Sequence, residues 1–252
     1  MSARLGLALY TLRDECARDP EGTLRAVAEM GYEGVELYDL FGREAQAVRE
    51  MLDELGLEVC GRHARLETIE NLLDELAAEL RELGSDRLIL AWIPPPASSR
   101  EAEQVVARIG EAAARVSAAG LRFGFHNHDG ELRALDDGRT VLDRLLELPP
   151  EQLFLEIDLG WAWFAGVDPV ELVARVAPRA QLVHVKDLVG GASEPRFVPV
   201  GDGDVGYANV LPAIQESGVE WLLVEQDETD GSALEAVRRS YAAVTGVVGS
   251  PA

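Results

Sequence analysis

A chain of 252 residues with 47% hydrophobic content can fill one sizeable core, and its length is close to the ~250 residues of a single (β/α)8 barrel. Lys and Arg number 23 against 45 Asp and Glu, a formal charge of −22; such a surface repels polyphosphate and argues against a nucleic-acid substrate, though a sugar phosphate could still sit in a locally basic pocket. Cys16 and Cys60 are the only cysteines, and neither a leader nor an apolar run near the ~20 residues that span a bilayer is present, so a reducing cytoplasm is expected rather than secretion or a membrane.

Short apolar runs then alternate with amphipathic stretches from end to end. Strands are predicted over 5–10, 34–37, 58–61, 87–91, 122–126, 154–158, 181–185 and 221–225. Helices are predicted over 20–30, 43–55, 66–83, 100–119, 138–146, 168–176, 207–216 and 232–244. Eight βα units in succession imply a parallel sheet with crossover helices, and eight is the number that closes: an α/β fold, a (β/α)8 TIM barrel. Asp19-Pro20 and Asp168-Pro169 read as N-caps followed by proline at the first helical position. Gly31, Gly56, Gly84, Gly120 and Gly218 stand where left-handed C-terminal glycines belong. One domain over 1–248 is expected, with a frayed tail at 249–252.

The chemistry gathers where strands end. His126 and His128 alternate, so period two aims both at one face, the barrel lumen. Asp158 closes the sixth run and shares a face with Glu156. An unpaired carboxylate inside a barrel is costly, and a bound cation compensates it. His184 follows a buried strand, and neutral imidazole is the commonest metal ligand. Lys186 lies on the same face, set either to touch substrate oxygens or to snorkel to solvent. Glu225 ends an apolar run and is a candidate by its company. Glu36 and His63 are candidates for hydrogen bonding at the rim, and Arg196 for contact with substrate oxygens. Trp161 and Trp92 could stack on a sugar, although aromatics at such places more often pack. The stretch Gly201-Asp202-Gly203-Asp204-Val205 lacks the Lys-Ser/Thr of a P-loop and reads as a turn into the seventh helix.

These landmarks carry a resemblance. Leu7-Ala8-Leu9-Tyr10-Thr11-Leu12-Arg13-Asp14, Gly31-Tyr32-Glu33-Gly34-Val35-Glu36-Leu37, the His126-Asn127-His128 stretch with Glu131, His184-Val185-Lys186-Asp187 and Val224-Glu225-Gln226-Asp227 are similar to motifs of the xylose-isomerase-like TIM-barrel superfamily. That superfamily holds sugar-phosphate isomerases and epimerases together with barrel AP endonucleases, and the similarity runs through nearly the whole chain. It implies one divalent ion (Mn²⁺, Zn²⁺, Mg²⁺ or similar) held by Glu, Asp, His and Glu from strands five to eight. Asp158, His184 and Glu225 match the last three. At strand five His126 stands where a glutamate is usual, with Glu131 in the following loop as a competing fourth ligand. The nuclease branch needs further histidines, and only His63 is left over.

The resemblance also implies the activity. The expectation is a metal-dependent sugar isomerase or epimerase acting on a ketose, keto-sugar or keto-polyol. Glu131 or His128 would move the proton α to the carbonyl, with Glu225 assisting. The alternative is a keto-sugar or inositol-type dehydratase or lyase that eliminates at the same site. A non-catalytic sugar-binding barrel is the third reading. The expected partner is a small sugar or polyol, with no nucleic acid and no membrane; barrel helices offer faces for a homo-oligomer without singling one out.

Overall fold

The computed structural model describes residues 3–190 and 194–249, so positions 250–252 of the expected frayed tail lie outside the described residues. Eight parallel strands close into a barrel: β1 (Arg4–Ala8), β2 (Gly34–Leu37), β3 (Glu58–Ala64), β4 (Arg87–Leu90), β5 (Arg122–His126), β6 (Phe154–Asp158), β7 (Ala180–Val185) and β10 (Trp221–Val224), which pairs back with β1. Between β7 and β10, strands β8 (Asp187–Val189) and β9 (Arg196–Val198) form a separate antiparallel pair. No described helix is long and apolar enough to cross a membrane.

β2, β4, β6 and β10 are buried along their whole length. Covering on both faces is what makes these strands continuous apolar runs instead of alternating ones. The predicted strands at 34–37, 122–126 and 154–158 match β2, β5 and β6, and the helix at 20–30 matches Pro20–Met30. Asp19 accepts from the Gly22 N–H, and Asp168 from those of Val170 and Glu171, as N-caps should. The 138–146 prediction shortens to Val141–Leu145, because a Thr140–Asp143 capping box fixes its start. The 66–83 prediction divides into Leu66–Asn71 and Leu73–Leu83, with Leu72 leaving helical backbone between them.

Turns of helix at the barrel mouth escaped the periodic reading. Leu9–Leu12 and Arg13–Arg18 follow β1, so Tyr10 sits in a 3-10 turn beyond the strand, and Leu159–Phe164 follows β6 directly. Each is too short to display a 3.6-residue repeat.

Inside the barrel, Cys60, Ile89, Phe154, Leu182, Trp221 and Leu223 form an apolar floor. Small residues on neighbouring strands make room for it. A Cβ on Gly124 would stand 2.4 Å from the Phe154 ring, and one on Gly34 would stand 2.8 Å from Trp221 and 2.7 Å from Cys60. A register shift sets Val35 opposite Val59 but Glu36 opposite Gly61. The extra residue in β3 is Cys60, and with Gly61 opposite Glu36, His63 two residues on faces the lumen beside it.

Candidate active site

Period two carries each strand from floor to mouth. β6 presents Phe154, then Glu156, then Asp158; β7 presents Leu182 and His184, with Lys186 just beyond; β10 leads from Leu223 to Glu225. Cross-strand register sets His126 beside Glu156, Asp158 beside His184, and Leu223 beside His184. Residues distant in sequence therefore converge above one apolar floor.

Two polar layers result. In the deeper one, His63 Nε2 lies 2.7 Å from Glu156 Oε2 and 3.1 Å from Glu36 Oε2. His184 Nε2 lies 3.0 Å from Glu36 Oε2 and 3.3 Å from Glu156 Oε2, and His126 Nδ1 lies 3.1 Å from Glu156 Oε2. Nearer the mouth, the other nitrogens of the same rings face the second layer. His184 Nδ1 is 2.8 Å from Glu225 Oε2, and His126 Nε2 is 3.9 Å from Asp158 Oδ2. Lys186 Nζ stands 2.9 Å from Asp158, 2.8 Å from Glu225 and 2.9 Å from Asp227. Asn127 clasps the Asp158 backbone, its side-chain oxygen accepting from the Asp158 N–H at 3.1 Å and its side-chain NH₂ donating to the Asp158 carbonyl.

Burial and neighbouring charges set the protonation states. Burial raises the Glu225 carboxyl, but Lys186 and His184 outweigh it and hold Glu225 well below the usual range. Asp227 goes the other way: burial lifts it to about 6 despite Lys186. Burial would lower the Lys186 ammonium, yet Asp158, Asp227 and Glu225 hold it well above its ordinary value. His63 is held up at about 10 by Glu36 and Glu156 against the opposing effect of burial. His128 is pushed down to about 3, first by burial and then by Lys186, so its ring is neutral near pH 7. Burial lifts Glu131 to about 7.

Can these residues hold a divalent ion? His126, Asp158, His184 and Glu225 each offer a ligand atom, and the four atoms lie within 4.8 Å of one another. All four residues are buried. Asp158 Oδ2 makes no aligned hydrogen bond despite its nearness to Lys186. Two imidazoles and two carboxylates suit a first-row divalent ion, whose charge would offset the buried carboxylates. The donor set fits.

A cavity of about 570 Å³ opens above it. Tyr10, Tyr38, Arg62 and Trp92 form part of its wall, and His63, His126, His128, Glu225 and Asp227 reach it from below.

The expected site residues divide. His126, Asp158, His184, Glu225, Lys186 and His128 come together at this mouth, and His63 reaches the cavity from the deeper layer, where it pairs with Glu36 and Glu156. Trp92 lines the cavity, whereas Trp161 packs behind it, 5.3 Å from the His128 ring and 5.3 Å from Lys186 Nζ. Glu36 is not at the rim; it is 2% exposed and belongs to the deeper layer. Glu131 is not in the donor set. Its Oε2 accepts the His128 N–H at 2.7 Å, so the carboxylate closes its own loop, and His126 is the strand-five member of the donor set. Arg196 stands on β9 and lines a different cavity, of about 420 Å³, with Phe197 and Asp202. The intervening hairpin carries it away.

Glu156 and Asp227 escaped selection as site residues. Glu156 carried a legible signal, the two-residue spacing to Asp158. Asp227 lies beyond the end of β10, where period two no longer applies. The glycine-rich stretch is a structural turn: the Asp187 carboxylate accepts N–H groups from Leu188, Gly201, Gly203 and Val205 at 2.9–3.2 Å.

Known proteins agree with this architecture. The chain is 29% identical over 251 residues to the rhizopine catabolism protein MocC of Rhizobium meliloti, covering 84% of this chain and 76% of that protein. It is 26% identical over 246 residues to the inosose dehydratase of Geobacillus kaustophilus, covering 81% and 79%. A crystal structure of a sugar phosphate isomerase/epimerase from Parabacteroides distasonis superposes with a TM-score of 0.82 at 22% identity, covering 98% of this chain and 96% of that one; at such identity the likeness speaks for the fold. A family model described as xylose isomerase-like TIM barrel matches residues 24–243. The chain belongs to the xylose isomerase-like TIM barrel family.

Proposed function

We propose that the protein is a metal-dependent lyase that removes water from a keto-sugar or keto-inositol by abstracting the proton α to its ketone. The observation that carries this reading is the pairing of Glu225, itself one of the four donors, with Asp227 in one cavity. Glu225 is held ionised and so has a free carboxylate to receive a proton, although Lys186 and His184 weaken it as a base, while Asp227 at about 6 exchanges its proton near neutral pH. The relatives support elimination over isomerisation: two proteins aligned over about four-fifths of this chain are a rhizopine catabolism protein and an inosose dehydratase. The dehydratase alternative is therefore preferred to the isomerase that the sequence put first.

A divalent ion bound by His126, Asp158, His184 and Glu225 would polarise the ketone and an adjacent hydroxyl oxygen. Glu225 takes the proton from the α-carbon, and the C–H electrons pass into the enolate. As the double bond forms between the α- and β-carbons, the β C–O bond breaks and Asp227 supplies a proton to the departing oxygen, giving water. Solvent exchange returns both carboxyls to their starting states. Lys186 holds Asp158, Glu225 and Asp227 in place, and Tyr10 and Trp92 offer apolar faces to the substrate ring.

The test is incubation with a keto-inositol in D₂O, followed by mass spectrometry with and without chelator. Loss of one water, abolished by metal removal, is the expected result. Solvent deuterium at the α-carbon with no loss of water would restore isomerisation. Binding without any exchange would indicate a non-catalytic barrel.

A further inference from the structure

We propose that the deeper polar layer is a second cation seat, formed by His63, His126, Glu156 and His184 with Glu36 at its edge, and that it selects nitrogen-preferring ions such as Zn²⁺. The proposal does not depend on the reaction assigned above.

Four strands besides β2 supply the seat. One ligand atom from each of His63, His126, Glu156 and His184 lies within 4.8 Å of the other three. Glu156 Oε2 has the three ring nitrogens around it at 2.7, 3.1 and 3.3 Å. Tetrahedral bonds of about 2.0–2.1 Å separate neighbouring ligand atoms by roughly 3.3 Å, so little movement is needed to admit an ion. Two further atoms of this layer, Glu36 Oε1 and Glu156 Oε1, are buried without a hydrogen-bond partner, and His126 Nδ1, though 3.1 Å from Glu156 Oε2, makes no aligned hydrogen bond. A buried carboxylate oxygen left unpaired is costly unless water or a cation answers it.

The two seats differ in donor chemistry. The mouth set offers two imidazoles and two carboxylates; the deeper set offers three imidazoles and one carboxylate, with Glu36 Oε2 within 3.1 Å of two of those rings. Imidazole-rich tetrahedral donors suit Zn²⁺, while carboxylate-rich donors with room for water and substrate suit Mn²⁺ or Mg²⁺. His126 and His184 belong to both sets, each turning one nitrogen to each. Filling both seats at once would require both rings to lose both N–H protons, so the seats exclude one another. An ion in the deeper seat withdraws two ligands from the mouth and blocks the ion that the cavity would use.

The experiment measures Zn²⁺ and Mn²⁺ affinity by chelator competition, with bound metal counted, on the whole chain and on its His63→Gln and Asp158→Asn variants. Zn²⁺ binding should weaken at least about tenfold in His63→Gln while Mn²⁺ binding shifts less than about twofold, and Asp158→Asn should show the reverse preference. Saturated protein should carry one ion per chain. Anomalous diffraction from Zn²⁺-soaked wild-type crystals, which needs no variant to fold, should place the ion among His63, Glu156 and the two shared rings. Equal weakening of both metals in His63→Gln, two ions per chain, or a Zn²⁺ peak between Asp158 and Glu225 would overturn the proposal. The last result would leave the elimination reading standing.

Discussion

The floor and the mouth of this barrel are built by the same strands, two residues apart, and behave in opposite ways. Phe154, Leu182 and Leu223 complete one another, interlocking with Trp221 and Ile89 over inward glycines. One step toward the mouth, Glu156, His184 and Glu225 do not: Glu156 Oε1 lacks a partner, as do Glu36 Oε1, His126 Nδ1 and Asp158 Oδ2 around them, and the carboxylates outnumber the cationic groups beside them. The floor is satisfied by packing alone, whereas the upper layers keep buried polar atoms without partners and hold a donor set that could take a cation. Stability resides below and chemistry above.

Substitutions should separate these halves. The largest effect is expected from His184→Ala, which removes a ligand common to both polar layers. Turnover should fall about 10⁴-fold or more, roughly 5.5 kcal/mol, with bound metal lost in parallel. Retention of both would break the distinction. Phe154→Ala should instead cost about 4 kcal/mol of stability, read by chemical denaturation, while a refolded sample keeps its metal affinity.

Glu131→Gln sharpens the comparison through pH. Glu131 rises from 4.5 to about 7 on burial, so the folded chain holds its proton more tightly than the unfolded chain does. Its contribution to stability is therefore lost as pH rises from about 4.5 to about 7. The Gln variant should gain on the wild type by up to about 3 kcal/mol between pH 5 and pH 8. A pH-independent difference would show that this carboxyl is not held protonated. Asp187→Ala should cost about 2–3 kcal/mol by freeing the Gly201–Val205 turn. The smallest effect belongs to the cavity wall: Trp92→Ala should raise KM a few-fold, about 1 kcal/mol, with the melting temperature unchanged.

Much of this was legible in the sequence, for a physical reason. The barrel announced itself because eight both-face-buried strands must be apolar runs, and the αL glycines and Asp-Pro caps marked where helices stop and start. Asp158, His184 and Glu225 were legible because strand ends in a parallel barrel share one mouth. What the sequence could not show depends on chain paths that have no period. The β8–β9 hairpin turns Arg196 into another cavity, a three-residue loop closes Glu131 onto the His128 N–H, and the extra residue in β3 brings His63 to Glu156. Glu156 was visible by spacing, but its partners His63 and Glu36 come from β3 and β2, and only closure of the barrel brings them together.

The most direct test of the account is anomalous diffraction from crystals saturated with Mn²⁺. A single ion bound by His126, Asp158, His184 and Glu225, with an open position toward the cavity, is the predicted result. Saturating Mn²⁺ that leaves those four side chains in their ion pairs, with the metal elsewhere or absent, would contradict it.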